Sequence, residues 1–222
     1  MKKMRWFDYL TLNSYSLGFN LSTATITPIL LPYLVVLFMP PEEKNTHLAT
    51  VRVIGLAMAM LMQPLFGMLS DRSTSRFGRR RPFIVAGTLL NILCLVLVGF
   101  TPSLPGAGTS GFLGVSIAFA ALIAGIILMQ VGANISMGAY QGLIPDLVPE
   151  DQRGRASGVK SIMELLPIIL VMFIGPLVGK GLIWQVVGIL ILGYVLVTLV
   201  TMFFVHEKPL LEKPVGPLRE PI

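Results

Sequence analysis

Charge is what this sequence has least of. Only 13% of its 222 residues are Asp, Glu, Lys or Arg, against roughly 25% in an ordinary soluble domain. Its surface therefore cannot all face water. Histidine is scarce too, with two, and there is one cysteine. Cys94 lies inside an apolar run, has no partner for an internal disulfide, and reads as a small packing residue. His47 and His206 are expected on opposite sides of a membrane, and no metal-ligand spacing occurs. No metal or cofactor is expected. A membrane enzyme would need a nucleophile, a metal cluster or paired acids near the interface. The pattern offers none of these, so no enzyme is expected. The basic start at residues 1–5 is not followed by a compact apolar core and a small-residue cleavage site, which argues against a cleaved signal peptide.

What is abundant is apolar sequence. Hydrophobic residues make up 54% of the chain, and mean hydropathy is +0.79. The runs are long enough for six spans of about 20 residues each. They fall at about 9–38, 48–69, 83–101, 112–144, 156–179 and 182–205. The expected fold is an all-α polytopic bundle over residues 1–206, followed by a polar, proline-rich tail at 207–222. That tail would be cytoplasmic or the start of a linker between two halves.

The first span is the most polar. Asn13, Ser16, Asn20, Thr23 and Thr27 step by three or four residues and share one helical face. A polar stripe on a membrane helix belongs against a water-filled cavity or other helices, not lipid. Pro28 and Pro32 predict a bend in its far half. In the second span, Arg52 lies near the start and can snorkel outward. Gln63 is on the same face. The third span is almost wholly apolar apart from Asn91 and reads as a lipid-facing support. Gly106 to Gly111 forms a formal GxGxxG, but no strand or βαβ unit surrounds it, so it reads as a loop. The fourth span is unusually long and must tilt or project. Its Gln130, Asn134 and Gln141 form a second polar stripe. In the fifth, Lys160 and Glu164 are four apart. Glu164 is the clearest acid within a span, so it is either a proton-coupling site or a structural ion pair with Lys160.

The charge that exists is concentrated. Residues 67–82, between the second and third spans, hold Asp71 and five arginines. Of the 17 Lys and Arg residues, 14 fall at the N-terminus, in this loop, in or just after the loop following the fourth span, or in the tail. The positive-inside rule then places both termini in the cytoplasm. Positive charge confined to inter-span loops marks topology, so the net charge of +6 does not indicate nucleic acid.

The chain also repeats itself. Gly18-Phe-Asn-Leu-Ser22 matches Gly132-Ala-Asn-Ile-Ser136, and Pro64-Leu-Phe-Gly67 matches Pro176-Leu-Val-Gly179. Three spans separate each pair, so matched helices run in opposite directions. This is the pattern of a 3+3 inverted repeat, whose solute sites lie near the midplane at the repeat interface. It nominates Asn20 and Asn134 as equivalent cavity positions, with Asn13, Thr23, Thr27, Gln63, Gln130 and Gln141 around them. Amides offer both donors and an acceptor to a polar uncharged solute such as a sugar.

The loop at 67–82 resembles the signature of the major facilitator superfamily between its second and third spans. The matching positions are Gly67, Asp71, Arg72, Gly78, Arg79 and Arg80. Gly78 lies farther from Asp71 than in the commonest form. The longer version, Ser70 to Phe83, is similar to the branch holding sucrose transporters and glycoside–cation symporters. Pro145-Asp146, Pro149 and Arg153 to Gly158 resemble that superfamily's connection after the fourth span. The resemblance implies a rocker-switch carrier in a plasma membrane, moving a small polar solute with a coupling cation, H+ being the first candidate. It implies that Gly67, Asp71, Arg72, Gly78, Arg79, Arg80, Asp146 and Arg153 form a cytoplasmic gate, with Asp71 bound to Arg153 or a helix N-terminus. For Arg76 and Arg81 a purely topological role is preferred. The superfamily usually has twelve spans, so the chain is expected to be an N-terminal half. It would be cut from a longer protein, or paired with a second copy or another six-span unit. A non-transporting membrane interaction protein is the alternative.

Overall fold

The computed structural model describes residues 4–38, 42–75, 77–104, 116–205 and 207. The glycine-rich motif at 106–111, Arg76, His206 and the tail from 208 lie outside these. Every described regular element is helical. Six helices are long and apolar enough to cross a membrane. They are α1 (Trp6–Phe38), α2 (Lys44–Asp71), α3 (Arg81–Phe100), α4 (Ile117–Gln141), α5 (Arg153–Gly179) and α6 (Ile183–Phe204).

Proline chemistry shapes two of them. In α1 the bend expected near Pro28 and Pro32 takes the form of a π-helical turn over Ile26–Leu30, where the Leu31 N–H reaches five residues back to Ile26 O. The wider turn eases the strain of prolines that cannot donate to the ladder. The long fourth span is not one tilted rod. It stops at Gln141, and a short helix, Leu143–Leu147, follows after Gly142. The Pro145 ring would clash with the Gln141 carbonyl in a continuous helix.

The packing has two-fold character. α1 packs against α5 and α6, while α4 packs against α2 and α3; α3 and α6 meet each other. Each three-helix repeat thus lends its first helix to the other's second and third, so the bundle is a 3+3 inverted repeat. The repeated glycines carry the crossings. A Cβ on Gly18 would come 2.5 Å from Val197 and 3.4 Å from the Gly193 carbonyl of α6. One on Gly132 would come 2.9 Å from the Gly87 carbonyl of α3. Such small residues let membrane helices approach backbone to backbone.

Hydrogen bonds add to the packing between helices. Tyr15 bonds to Thr88 at 2.9 Å, joining α1 to α3. Asn13 corrects an expectation. It is fully buried, donates to Tyr9 O and Ala156 O, and accepts from the Tyr140 hydroxyl. Its amide ties α1 to α4 and α5 and faces no cavity. The third helix is also more than the lipid-facing support expected: Leu89 and Leu93 face outward, but its other side lies in the core. Nearly half of its apolar stretch is buried, and Asn91 is fully buried.

Burial is uneven. Only 11% and 17% of the apolar stretches of α2 and α5 are buried, against 39–44% in the other four. Met60, Met172 and Phe173 project from these two helices almost unshielded. The helices the core needs least leave their apolar faces open.

Candidate functional site

At one end of the bundle the charged residues converge. α2 ends at Asp71. The loop then turns through Gly78, whose φ of +109° favours glycine, and delivers Arg79 and Arg80 to the start of α3. Arg80 is the centre of the cluster and is only 6% exposed. Its Nη2 lies 2.5 Å from Asp71 Oδ1, a charge contact without hydrogen-bond alignment. Its Nε donates to Asp146 Oδ2 at 2.6 Å, and its Nη1 to Ala139 O at 3.3 Å. Arg79 pairs with the same Asp146 oxygen. One buried guanidinium thus joins the end of α2 to the end of α4 and the short helix after it. A forked donor bonded in this way to Asp146 and Ala139 is a strong and directional tie, to which the Asp71 contact adds charge without direction.

Two further residues complete this cluster, and sequence reasoning missed both. Gly142 faces the Arg80 side chain so closely that any Cβ there would overlap the guanidinium. Its value lies in having no side chain, which no motif announces. Glu207 Oε2 accepts from the Arg80 N–H at 2.8 Å and the Arg81 N–H at 3.4 Å, satisfying free donors in the first turn of α3. It follows α6, far away in sequence. Gly67 belongs to the same crossing: its would-be Cβ faces Gly138 O at 3.6 Å, and a Cβ on Gly138 would come 2.7 Å from Gln63 O.

Of the two partners expected for Asp71, Arg153 or a helix N-terminus, Arg153 is not engaged, and the contact lies at the N-terminal end of α3. Asp71 is taken by Arg80, which its position at the start of α3 brings closer. Arg153 instead donates to Pro145 O at 3.2 Å and lies 3.5 Å from Glu150. Arg72 caps the C-terminal end of α2.

A second polar feature lies nearer mid-bundle. Thr23 and Thr27 of α1, Arg52 of α2, Asn91 of α3 and Gln130 of α4 line one pocket, with Tyr194 of α6 also in its wall. Gln130 reaches across the helix crossing to Gly55, where a Cβ would meet its Nε2 at 2.7 Å. Arg52, though exposed, also lines this pocket, and Asn91 Oδ1 is buried there without a hydrogen-bond partner. Neither was nominated from sequence, because a lone charge near a span's start and a lone amide in an apolar run each have an ordinary explanation. Asn20 and Asn134 turn their amide donors to Ser16 O and Gln130 O of their own helices. Gln63 and Gln141 line a separate open groove beside Gly138. Glu164 lies 3.6 Å from Lys160, and both are partly exposed. Among the described residues no cluster of His, Cys, Asp and Glu could hold a metal ion.

Comparison with known families settles the class, since the Major Facilitator Superfamily profile matches residues 12–221. The chain belongs to the Major Facilitator Superfamily. Its six helices are half of a major facilitator fold, and the protein is an integral membrane protein. Among curated members, it is 33% identical to the general alpha-glucoside permease of Schizosaccharomyces pombe, over 61% of this chain and 25% of the relative. It is 30% identical to sucrose transport protein SUC4 of Arabidopsis thaliana, over 65% of this chain and 28% of the relative. It is 32% identical to sucrose transport protein SUT2 of Oryza sativa subsp. indica, over 63% and 28%. The chain thus spans about a quarter of the length of the curated relatives it matches.

Proposed function

We propose that this chain is one six-helix unit of an alternating-access carrier for a small glycoside or sugar, coupled to H+ or another cation. The observation that carries this reading is the Arg80 cluster. A buried guanidinium held between carboxylates of two helix ends is a two-position element: formed, it pins α2 to α4; broken, it frees them. Asp71, Arg72, Arg79, Arg80, Asp146 and Arg153, with Gly67 and Gly78, are the gate residues of this reading. The named relatives act on alpha-glucosides and sucrose, which supports a glycoside as solute. The pocket of Thr23, Thr27, Asn91, Gln130 and Arg52 suits it chemically, since hydroxyl-rich solutes need both donors and acceptors. Asn20, Asn134, Gln63 and Gln141 are the outer candidates.

The second unit docks on the open faces of α2 and α5, on one polypeptide or as another copy. Halves of such carriers are related by an axis along the membrane normal. The basic end faces the cytoplasm of a plasma membrane, by the distribution of Lys and Arg. Glu164 is the candidate for coupling, with Lys160 its partner. The test is uptake of labelled sucrose and maltose into proteoliposomes under an imposed pH gradient, with native mass recorded on the same sample. Saturable uptake by paired units, accelerated by the gradient, is expected. Paired units that leave every glycoside outside would exclude the carrier reading and leave a membrane interaction protein.

A further inference from the structure

Arg81 stands apart from its neighbours. Arg79 and Arg80 are taken up by Asp146 and Asp71. The Arg81 guanidinium makes no ion pair or hydrogen bond among the described residues, and its Nε is shielded from solvent without an acceptor. Only its main-chain N–H is engaged, by Glu207. Glu207, whose carboxylate lies beside Arg81, engages only the main-chain N–H groups of Arg80 and Arg81, so the guanidinium keeps its donors for an anion.

The surface beside it is a trough. Arg81, Val85 and Leu89 recur every fourth residue along one face of α3. Pro82 and the small Ala86 lie beside them, and Met202 of α6 and Phe77 of the loop close the sides. From Arg81 to Leu89 the trough runs about 12 Å along the helix. Its walls are apolar except at the Arg81 end. Leu89 and Phe77 are more than half exposed, so the trough opens to the outside of the bundle. It belongs to the seam of α3 and α6, not to α2 and α5, whose faces the carrier reading assigns to a second unit. Lipid can reach it in the assembled carrier.

We propose that this trough is a binding site for one anionic phospholipid, its phosphate on the Arg81 guanidinium and an acyl chain along Val85, Ala86, Leu89 and Met202. Charge complementarity selects the occupant. At that end Arg79, Arg80 and Arg153 are paired with Asp146, Asp71 and Glu150, so the Arg81 guanidinium beside the trough is left to attract an anionic headgroup. A protein partner fits poorly, because a stable protein interface buries on the order of 1,000 Å² or more and a trough of seven residues is far smaller. The lipid would occupy the outer side of the same α3 turn whose inner side holds Arg80, so occupancy would steady the start of α3.

Native mass spectrometry after equilibration in an equimolar mixture of phosphatidylglycerol and phosphatidylcholine tests this. The wild-type chain should retain one phosphatidylglycerol, several-fold in preference to phosphatidylcholine. Arg81→Gln should lower that retention about tenfold, the effect of losing one charge-assisted contact of about 1.4 kcal/mol. Arg81→Lys should keep most of it, which separates lost charge from lost fold. Ala86→Leu, which fills the trough, should lower retention of both lipids. Arg155→Gln, an exposed charge at the same end, should change nothing. Equal retention of the two lipids by the wild type, or unchanged retention in Arg81→Gln, would overturn the site. Full displacement of the lipid by soluble glycerol phosphate would also overturn it, since the trough would then contribute nothing.

Discussion

The two ends of the bundle are related by the repeat, yet they are built differently. α2 and α5 are repeat partners, each with a Pro-x-x-Gly in its last two turns. At the end of α2, Gly67 faces the α4 backbone and Asp71, Arg80 and Asp146 close a charged cluster. At the end of α5, Gly179 has nothing within 4 Å, and the chain turns into α6 through Lys180 and Gly181, with φ +74° at the glycine. No carboxylate–guanidinium tie among the described residues links that end. The shared glycines and prolines belong to the scaffold and follow the symmetry. The charges do not: they tie helix ends together on one side of a symmetric frame.

The comparison can be broken most forcefully at Arg80. Arg80→Gln leaves Asp71 and Asp146 without their shared counter-charge. Breaking a fully buried pair costs about 3–5 kcal/mol; with the two carboxylates 36% and 27% exposed, about 2 kcal/mol is expected here. Solute uptake should fall more than tenfold while membrane insertion, read by fractionation, is unchanged. Asp71→Asn should act in the same direction but less, since Asp146 remains. Gly142→Ala should reproduce much of the Arg80 defect with every charge retained, because its Cβ occupies the guanidinium's place. Gly179→Ala, its counterpart in the test, should behave as wild type in the same uptake assay.

Smaller effects probe the scaffold itself. A Cβ at Gly87 would come 2.5 Å from Gly132 O, so Gly87→Ala should destabilise by about 1–3 kcal/mol, the usual cost of overpacking. At Gly193, whose carbonyl meets Gly18 as that of Gly87 meets Gly132, a Cβ would find its nearest neighbour, Leu21, at 3.8 Å. Gly193→Ala should therefore shift the melting temperature in detergent little. Asn13→Ala should lower that temperature without altering the apparent KM, whereas Gln130→Ala should raise the KM. Smallest of all is the Lys160–Glu164 pair, partly exposed and worth about 0.3–0.5 kcal/mol as an i,i+4 contact. Glu164→Gln should leave stability unchanged. If uptake driven by a pH gradient is also unchanged, Glu164 carries no proton.

Much of the fold was legible in the sequence because apolar runs and a repeated motif are local signals. The six spans, the inverted repeat and the loop motif could all be read from order alone. The site was less legible. Asn13, Asn20 and Asn134 look alike on a helical wheel, but only three-dimensional neighbours show that Asn13 is held by Tyr9, Ala156 and Tyr140. The partner of Asp71 depended on the path of a nine-residue loop, so Arg80 took the place expected for Arg153. Gly142 and Glu207 carried no signal, one acting through the absence of a side chain and the other from beyond α6. Arg52 enters the pocket from a position that suggested snorkelling, and Asn91 from a helix whose pattern suggested lipid.

Arg80 ties one end of this frame and leaves the other alone. Hydrogen–deuterium exchange of the reconstituted protein, wild type against Arg80→Gln, tests it most directly. Exchange should be at least about tenfold faster in the variant in peptides covering residues 72–80 and 143–147, equivalent to about 1.4 kcal/mol of lost local protection, with residues 180–182 unchanged. Unchanged exchange in residues 72–80, or equal acceleration at both ends, would contradict it.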